Sequence, residues 1–216
     1  MEIQETTQGA LFVSNGKRAR LGILLSGRGS NFEAIASNVL AGRLDCEIGF
    51  VFSNKPHALG LARARELGLP CGAIESAGLE RTAFDAQVAD LLQRQEVDWV
   101  CLAGYMRLLS GHFIRKFESR ILNIHPSLLP AFPGLDAQYQ ALSHGVKITG
   151  CTVHFVDENL DSGAILLQSA VPVLDHDTVE TLSSRILVEE HKIYSEAIAW
   201  VLKGNYLIEG RRVLKT

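Results

Sequence analysis

Apolar positions in the first half of the chain come in short continuous runs, each followed by a stretch in which they recur every three or four residues. Leu21 to Ser26 is the first run, closed by Gly27, and Phe32, Ile35 and Val39 then share one face of a helix from Asn31 to Leu40. The same alternation predicts a strand Glu47 to Ser53 before a helix Ala58 to Leu67, and a strand Gly72 to Ile74 before a helix Thr82 to Arg94. A strand Trp99 to Gly104 precedes a short helix around Gly111 to Phe117, and a further strand follows at Ile121 to Ile124. Strands that are apolar throughout must bury both faces, which a parallel sheet covered by helices on each side provides. The predicted fold class is α/β, a doubly wound and mainly parallel sheet.

After Pro126 the rhythm changes. Ile148 to Val156 and Ala164 to Val173 are strand-like runs with a polar loop and no helix between them, which predicts a hairpin and a mixed C-terminal extension of the sheet. Asp177 then opens the longest helical stretch, with Glu180 three residues later as in a capping box, and the pattern holds to Leu202 before Gly204 ends it. Tyr206 to Ile208 and Val213 to Leu214, parted by Glu209 and Gly210, predict a small terminal hairpin. Residues 1–20 carry no such pattern and are expected to be a flexible tail ahead of one domain over 21–216.

Composition narrows the function classes. The 216 residues are 47% hydrophobic, enough for one sizeable core. Lys plus Arg is 21 against 24 Asp plus Glu, with no long basic run to neutralise a phosphate backbone, so nucleic acid is not an expected partner. Cys46, Cys71, Cys101 and Cys151 stand far apart without a Cys-x-x-Cys pair and read as reduced core thiols of a cytoplasmic protein. The first twenty residues lack the cationic start and apolar stretch of a secretory signal, and no apolar run reaches membrane-spanning length.

The first strand runs into Ser26-Gly27-Arg28-Gly29-Ser30-Asn31, where glycines let backbone amides approach an anion at a helix start. A dinucleotide fingerprint would need a third Gly where Phe32 stands and an acid at the end of the second strand, which instead closes with Ser53-Asn54. The segment is a candidate phosphate cradle; a turn whose glycines only permit tight packing is the alternative.

The densest chemistry lies at Asn123 and His125, two apart on one strand face, with Ile124 packing opposite. An Asn amide and an imidazolium can both donate to a developing oxyanion; a core Asn and His bonded to backbone is the other reading. Asp157, Glu158 and Asp161 in the loop between the late strands are three acids able to favour the imidazolium, and spacing does not choose among them. Glu190 falls in line with Ile186, Ile193 and Ala197 on the long helix, either at the edge of the apolar stripe or facing a pocket.

Several segments together resemble the phosphoribosylglycinamide formyltransferase family of purine synthesis over nearly the whole chain after the tail. They are Ser26 to Asn31, Ala103 to Leu109, Asn123 to Pro130, Phe132 to Ala137 and His154 to Gly163. The resemblance implies that Asn123, His125 and Asp161 are the catalytic set and that Gly29, Ser30 and Asn31 hold the substrate phosphate. It also implies that Glu190 holds the glycinamide. Met106, Arg107, Leu108 and Leu109 would line the folate pocket together with Asn123, and Arg81 aligns less closely with an Arg that contacts folate. Arg28, Tyr139 and Leu187 depart from residues common in the family, which bears on substrate affinity at those edges.

The implied reaction is formyl transfer from 10-formyltetrahydrofolate, a co-substrate, to the amine of glycinamide ribonucleotide. Neither a metal nor a membrane is expected, and a monomer or homodimer is. Formyltetrahydrofolate deformylase and methionyl-tRNA formyltransferase share the Asn-His segment but carry domains for which this chain has no counterpart. A phosphosugar-binding protein using only the Gly-rich loop would leave Asn123, His125 and Asp161 idle.

Overall fold

The computed structural model describes residues 6–8 and 17–216. Where the hydropathy pattern predicts one domain, the described residues gather into two compact units, 17–123 and 6–8 with 124–216.

In the first unit, β2 (Arg20–Leu25), β3 (Glu47–Ser53), β4 (Cys71–Ala73), β5 (Trp99–Leu102) and the start of β6 (Ile121–His125) lie side by side in the order β4-β3-β2-β5-β6. Every pairing among them is parallel. Five of the six β2 residues are buried, as continuous apolar strands require when helices cover both faces. The connecting helices are α1 (Ser30–Leu40), α2 (Leu59–Glu66), α3 (Arg81–Arg94) and α4 (Gly111–Lys116). Each element lies within three residues of its predicted bounds. The chain runs from β2 outward through β3 and β4, then returns to β5 on the opposite side of β2, so the carboxyl ends of β2 and β5 form a topological switch point.

In the second unit, β7 (Ile148–Phe155) and β8 (Ile165–Pro172) form the expected antiparallel hairpin. β9 (Tyr206–Glu209) and β10 (Arg212–Lys215) form the terminal one, and β10 meets β8 in parallel. With these antiparallel pairs the sheet is mixed although mainly parallel. Thr6–Gln8, expected in a loose tail, form β1, which pairs antiparallel with β9. Arg20 opens β2, and residues 1–5 and 9–16 of that tail lie outside the described residues.

Helix α6 (Val179–Lys203) packs across β7 and β8 with Leu182, Ile186, Glu190, Ile193, Tyr194, Ala197, Ile198 and Val201 buried. Its cap corrects the predicted one. Thr178, not Asp177, accepts the Thr181 amide, and Thr181 Oγ1 accepts the Thr178 amide in return at 2.9 Å. Asp177 stands one residue too early; its carboxylate takes the Leu174 amide at 2.7 Å and pairs with Arg185, which holds it well below the usual carboxylate range. Helix α5 (Ala137–Ser143) is absent from the sequence reading because its seven residues hold only Ala137 and Ala141 as buried positions, one turn apart. Among the described residues no helix is long and apolar enough to cross a membrane.

Candidate active site

The candidate phosphate loop leaves β2 at Ser26 and enters α1 at Ser30. Gly29 caps that helix in the left-handed region, φ 82°, and a Cβ there would stand 3.0 Å from Gly60 Cα. Both facts require glycine. Gly29 supplies no side-chain cap to α1, as Ala58 and Asp136 supply none to α2 and α5, whereas α3, α4 and α6 receive caps from Glu80, Ser110 and Thr178. Gly27 is exposed with open space where a Cβ would stand, and its carbonyl accepts the Gly60 amide at 3.1 Å. Gly60, on α2, is a supporting residue that the sequence reading missed; it was legible only as a small residue in a helix. Ser30 is half-buried, Asn31 is buried and Arg28 is exposed.

On the other flank of β2, the segment after β5 carries the residues expected at folate. Met106 and Leu108 are exposed, 65% and 55%, without the apolar cover such side chains usually find. Arg107 lays its guanidinium 4.5 Å over the buried Phe84 ring, which gives that side chain one favoured direction. Buried Asp85 accepts the Ser110 amide at 2.6 Å and fixes the far end of the segment. The hydroxyl of Tyr105, beside this cluster, is pushed well above the ordinary tyrosine range by burial. Arg81 is exposed as the first residue of α3.

The second unit holds the ionisable cluster. His125 ends β6 and is 5% exposed, two residues after half-buried Asn123 on the same strand face. Its Nδ1 lies 3.4 Å from Asp161 Oδ2, and its Nε2 lies 2.9 Å from the Phe132 carbonyl. Of the three loop acids, Asp161 is therefore the one brought to His125. Its φ is 48°, its Oδ2 also accepts the Gly134 amide at 2.8 Å, and its Oδ1 faces His154 Nε2 at 3.8 Å. Asp157 instead accepts the Asn159 amide at 2.9 Å, and Glu158 is exposed.

His154 is the second residue the sequence reading passed over. It lies where the hairpin register shifts, Val153 facing Leu167 and His154 facing Ile165 with Leu166 of β8 left over, in a strand buried at all but its first residue, so alternation does not single it out. Its Nδ1 sits 2.7 Å from the Phe155 carbonyl. Burial pushes its pKa down; the Phe155 carbonyl and Asp161 oppose that shift without overcoming it. The 126–134 loop is fastened by Thr152, whose Oγ1 donates to the Ser127 carbonyl at 2.7 Å and accepts the Leu129 amide at 3.0 Å. Gln168 adds a bond from Nε2 to the Leu129 carbonyl at 2.9 Å. Glu190 lies 7% exposed on the buried face of α6, so it is not an edge residue of the stripe. Cys46 and Cys151 are pushed up to about 12, chiefly by burial, and are inert thiols at neutral pH.

Residues 19–198 match the formyl transferase family. The chain belongs to that family. It is 41% identical over 187 residues to phosphoribosylglycinamide formyltransferase of Bacillus subtilis, covering 86% of this chain and 96% of that protein. It is 47% identical over 189 residues to the trifunctional purine biosynthetic protein adenosine-3 of Bos taurus, 87% of this chain but only 19% of that longer protein. Its backbone is similar to the crystal structure of glycinamide ribonucleotide transformylase 1 from Symbiobacterium toebii, with a TM-score of 0.91 and 52% identity over 97% of this chain and 99% of that one. Within its family the chain groups with the phosphoribosylglycinamide formyltransferases.

Proposed function

We propose that this chain transfers the formyl group of 10-formyltetrahydrofolate to the amine of glycinamide ribonucleotide, in the cytoplasm, as a step of purine synthesis. The observation that carries the chemistry is the buried His125 ring, held between Asp161 Oδ2 and the Phe132 carbonyl, two residues beyond Asn123. Membership of the formyl transferase family supports the donor's reactive group, and similarity to the Symbiobacterium toebii enzyme over nearly the full chain supports the acceptor.

In this reading the amine nitrogen bonds to the formyl carbon and the carbonyl electron pair moves onto oxygen. Asn123 and His125 donate to that oxyanion. With Asp161 facing Nδ1, it is Nε2 that exchanges the Phe132 carbonyl for the new oxygen. Collapse breaks the bond to the folate N10, which receives the proton the amine loses, with Asp161 and His125 assisting the transfer. Gly29, Ser30 and Asn31 hold the ribonucleotide phosphate, Glu190 the glycinamide amine, and Arg81 and Met106 to Leu109 the folate. The test is tetrahydrofolate release, followed by absorbance, after mixing the purified chain with 10-formyltetrahydrofolate with and without glycinamide ribonucleotide. Release only with the ribonucleotide is expected. Release without it would instead favour a deformylase, and no release under either condition would overturn the reading.

A further inference from the structure

Ser26 joins two segments that the proposed function gives to different substrates. Its hydroxyl accepts the Met106 amide at 2.9 Å and donates to Asn54 Oδ1 at 2.6 Å, while its own amide donates to the Gly104 carbonyl at 3.0 Å. Asn54 occupies the strand end where a dinucleotide fold would place an acid for ribose; here its Nδ2 reaches Ser76 Oγ at 3.4 Å instead. Ser26 and Asn54 are 5% and 7% exposed, so water does not compete for these bonds, and each bond in such a chain polarises the next. Residues 106–109 thus form a strap pinned at two points. The far pin is Asp85 on the Ser110 amide, and the near pin is the first residue of the phosphate loop. Neither Ser26 nor Asn54 has a role in the proposed chemistry.

We infer that Ser26, backed by Asn54, is a positioning residue that ties the phosphate loop to the strap, so that filling one subsite tightens the other. This rests on the proposed reading of the two segments as phosphate and folate subsites. Hydrogen exchange on the full chain tests the tie directly. In Ser26→Ala the Met106 amide should exchange about fivefold faster, the ordinary worth of one hydrogen bond. Adding glycinamide ribonucleotide should slow exchange across 104–109 in the wild type and not in the variant.

Steady-state kinetics should show KM for both substrates raised about fivefold with kcat within about twofold. Ser26→Thr, which keeps the hydroxyl, should restore both. Should the Thr methyl unfold the chain, the cycle serves instead: Asn54→Ala should match Ser26→Ala, and the double variant should lose no more than either alone. Unchanged Met106 exchange, a rise in only one KM, or full additivity would overturn the inference. If calorimetry finds no ribonucleotide binding to the wild type, the functional reading falls and the inference with it. If the ribonucleotide binds and the strap does not respond, the inference falls alone.

Discussion

The two compact units build their candidate subsites from different materials. In residues 17–123, apart from the Asn123 side chain at the boundary, the groups are chiefly backbone amides and strand ends: a helix start behind Gly29, and a strap whose ends are pinned through the amides of Met106 and Ser110. In residues 124–216 the groups are side chains, His125, His154, Asp161 and Glu190, carried by two strands, a loop and a helix. Only the second unit brings non-glycine residues of its site loops into the left-handed region, at Phe132, Asp136 and Asp161. Each such residue costs about 1–2 kcal/mol, and strain of this kind persists only where surrounding bonds hold it. Thr152, Gln168 and the bond from Gly134 to Asp161 supply that hold. Recognition of a phosphate can be delegated to local turn geometry, whereas aligning two ionisable rings on one carboxylate needs contacts that are distant in sequence.

The sharpest way to break this comparison is to remove one group from each side. His125→Ala should lower kcat by about 10²-fold or more while leaving the ribonucleotide KM near wild type, since an oxyanion donor acts in the transition state. Ser30→Ala should do the reverse, raising that KM with kcat largely kept. Stopped-assay kinetics on both variants decide it; a KM effect from His125→Ala with kcat intact would exchange the roles assigned to the two units.

A smaller effect separates their backbones. A Cβ on Gly163 would overlap the Phe155 carbonyl oxygen, two residues from Asp161, and β7 cannot yield there without losing its register. Gly163→Ala should therefore cost about 1–3 kcal/mol, read as a melting temperature lowered by about 2–10 °C. Gly27→Ala, in open space and without a positive φ, should stay within about 0.5 kcal/mol of wild type. Equal melting temperatures for the two variants would mean that the loop carrying Asp161 is no stiffer than the 27–29 turn.

The same contrast explains what the sequence made legible. The parallel strands and their helices follow from apolar runs such as Leu21 to Leu25 because burial on both faces leaves no other pattern possible. The turn at Gly29 and the helix start at Ser30 were likewise readable, since a helix start after a glycine is a local feature. The choice of Asp161 over Asp157 and Glu158 was not legible from spacing. It depends on a left-handed backbone at Asp161 and on the distant Gly134 amide, and only the family resemblance pointed to it. His154 was hidden in a strand buried at all but its first residue, and Asn54 by the fact that its partners stand 28 and 22 residues away. The single-domain boundary also missed β1, three residues whose pairing with β9 cannot be inferred from so short a run.

Acid should distinguish the units further. Burial holds the pKa of His154 below its ordinary value near 6.5, so on acidification the unfolded chain takes up this proton first. The corresponding stability is complete above about pH 6.5 and is lost as the pH falls toward the folded value, at most about 1.4 kcal/mol per pH unit for one proton. Melting curves of the wild type and of His154→Gln between pH 7 and 5 should converge as the pH drops. Parallel curves would assign the acid sensitivity to other groups.

The smallest predicted effect concerns two helix starts. Thr178 and Thr181 satisfy each other's amides at the head of α6, in the second unit, while α1 in the first opens behind a glycine that caps nothing with its side chain. Thr178→Ala should cost about 1 kcal/mol of stability with both KM values unchanged, because the amides it frees have no part in binding. Glu180→Ala should cost only a few tenths of that, since Glu180 is not the residue that closes the box. Gly29→Ala tests the other helix: in the left-handed region its Cβ would stand 3.0 Å from Gly60 Cα, so the start of α1 must shift. If the leading amides of α1 hold a phosphate, that shift should weaken ribonucleotide binding as well as lower stability. Thr178→Ala would then move stability alone in one helix, and Gly29→Ala stability and affinity together in the other. A ribonucleotide KM unchanged by Gly29→Ala in a folded chain would show that the leading amides of α1 are not where the anion is held.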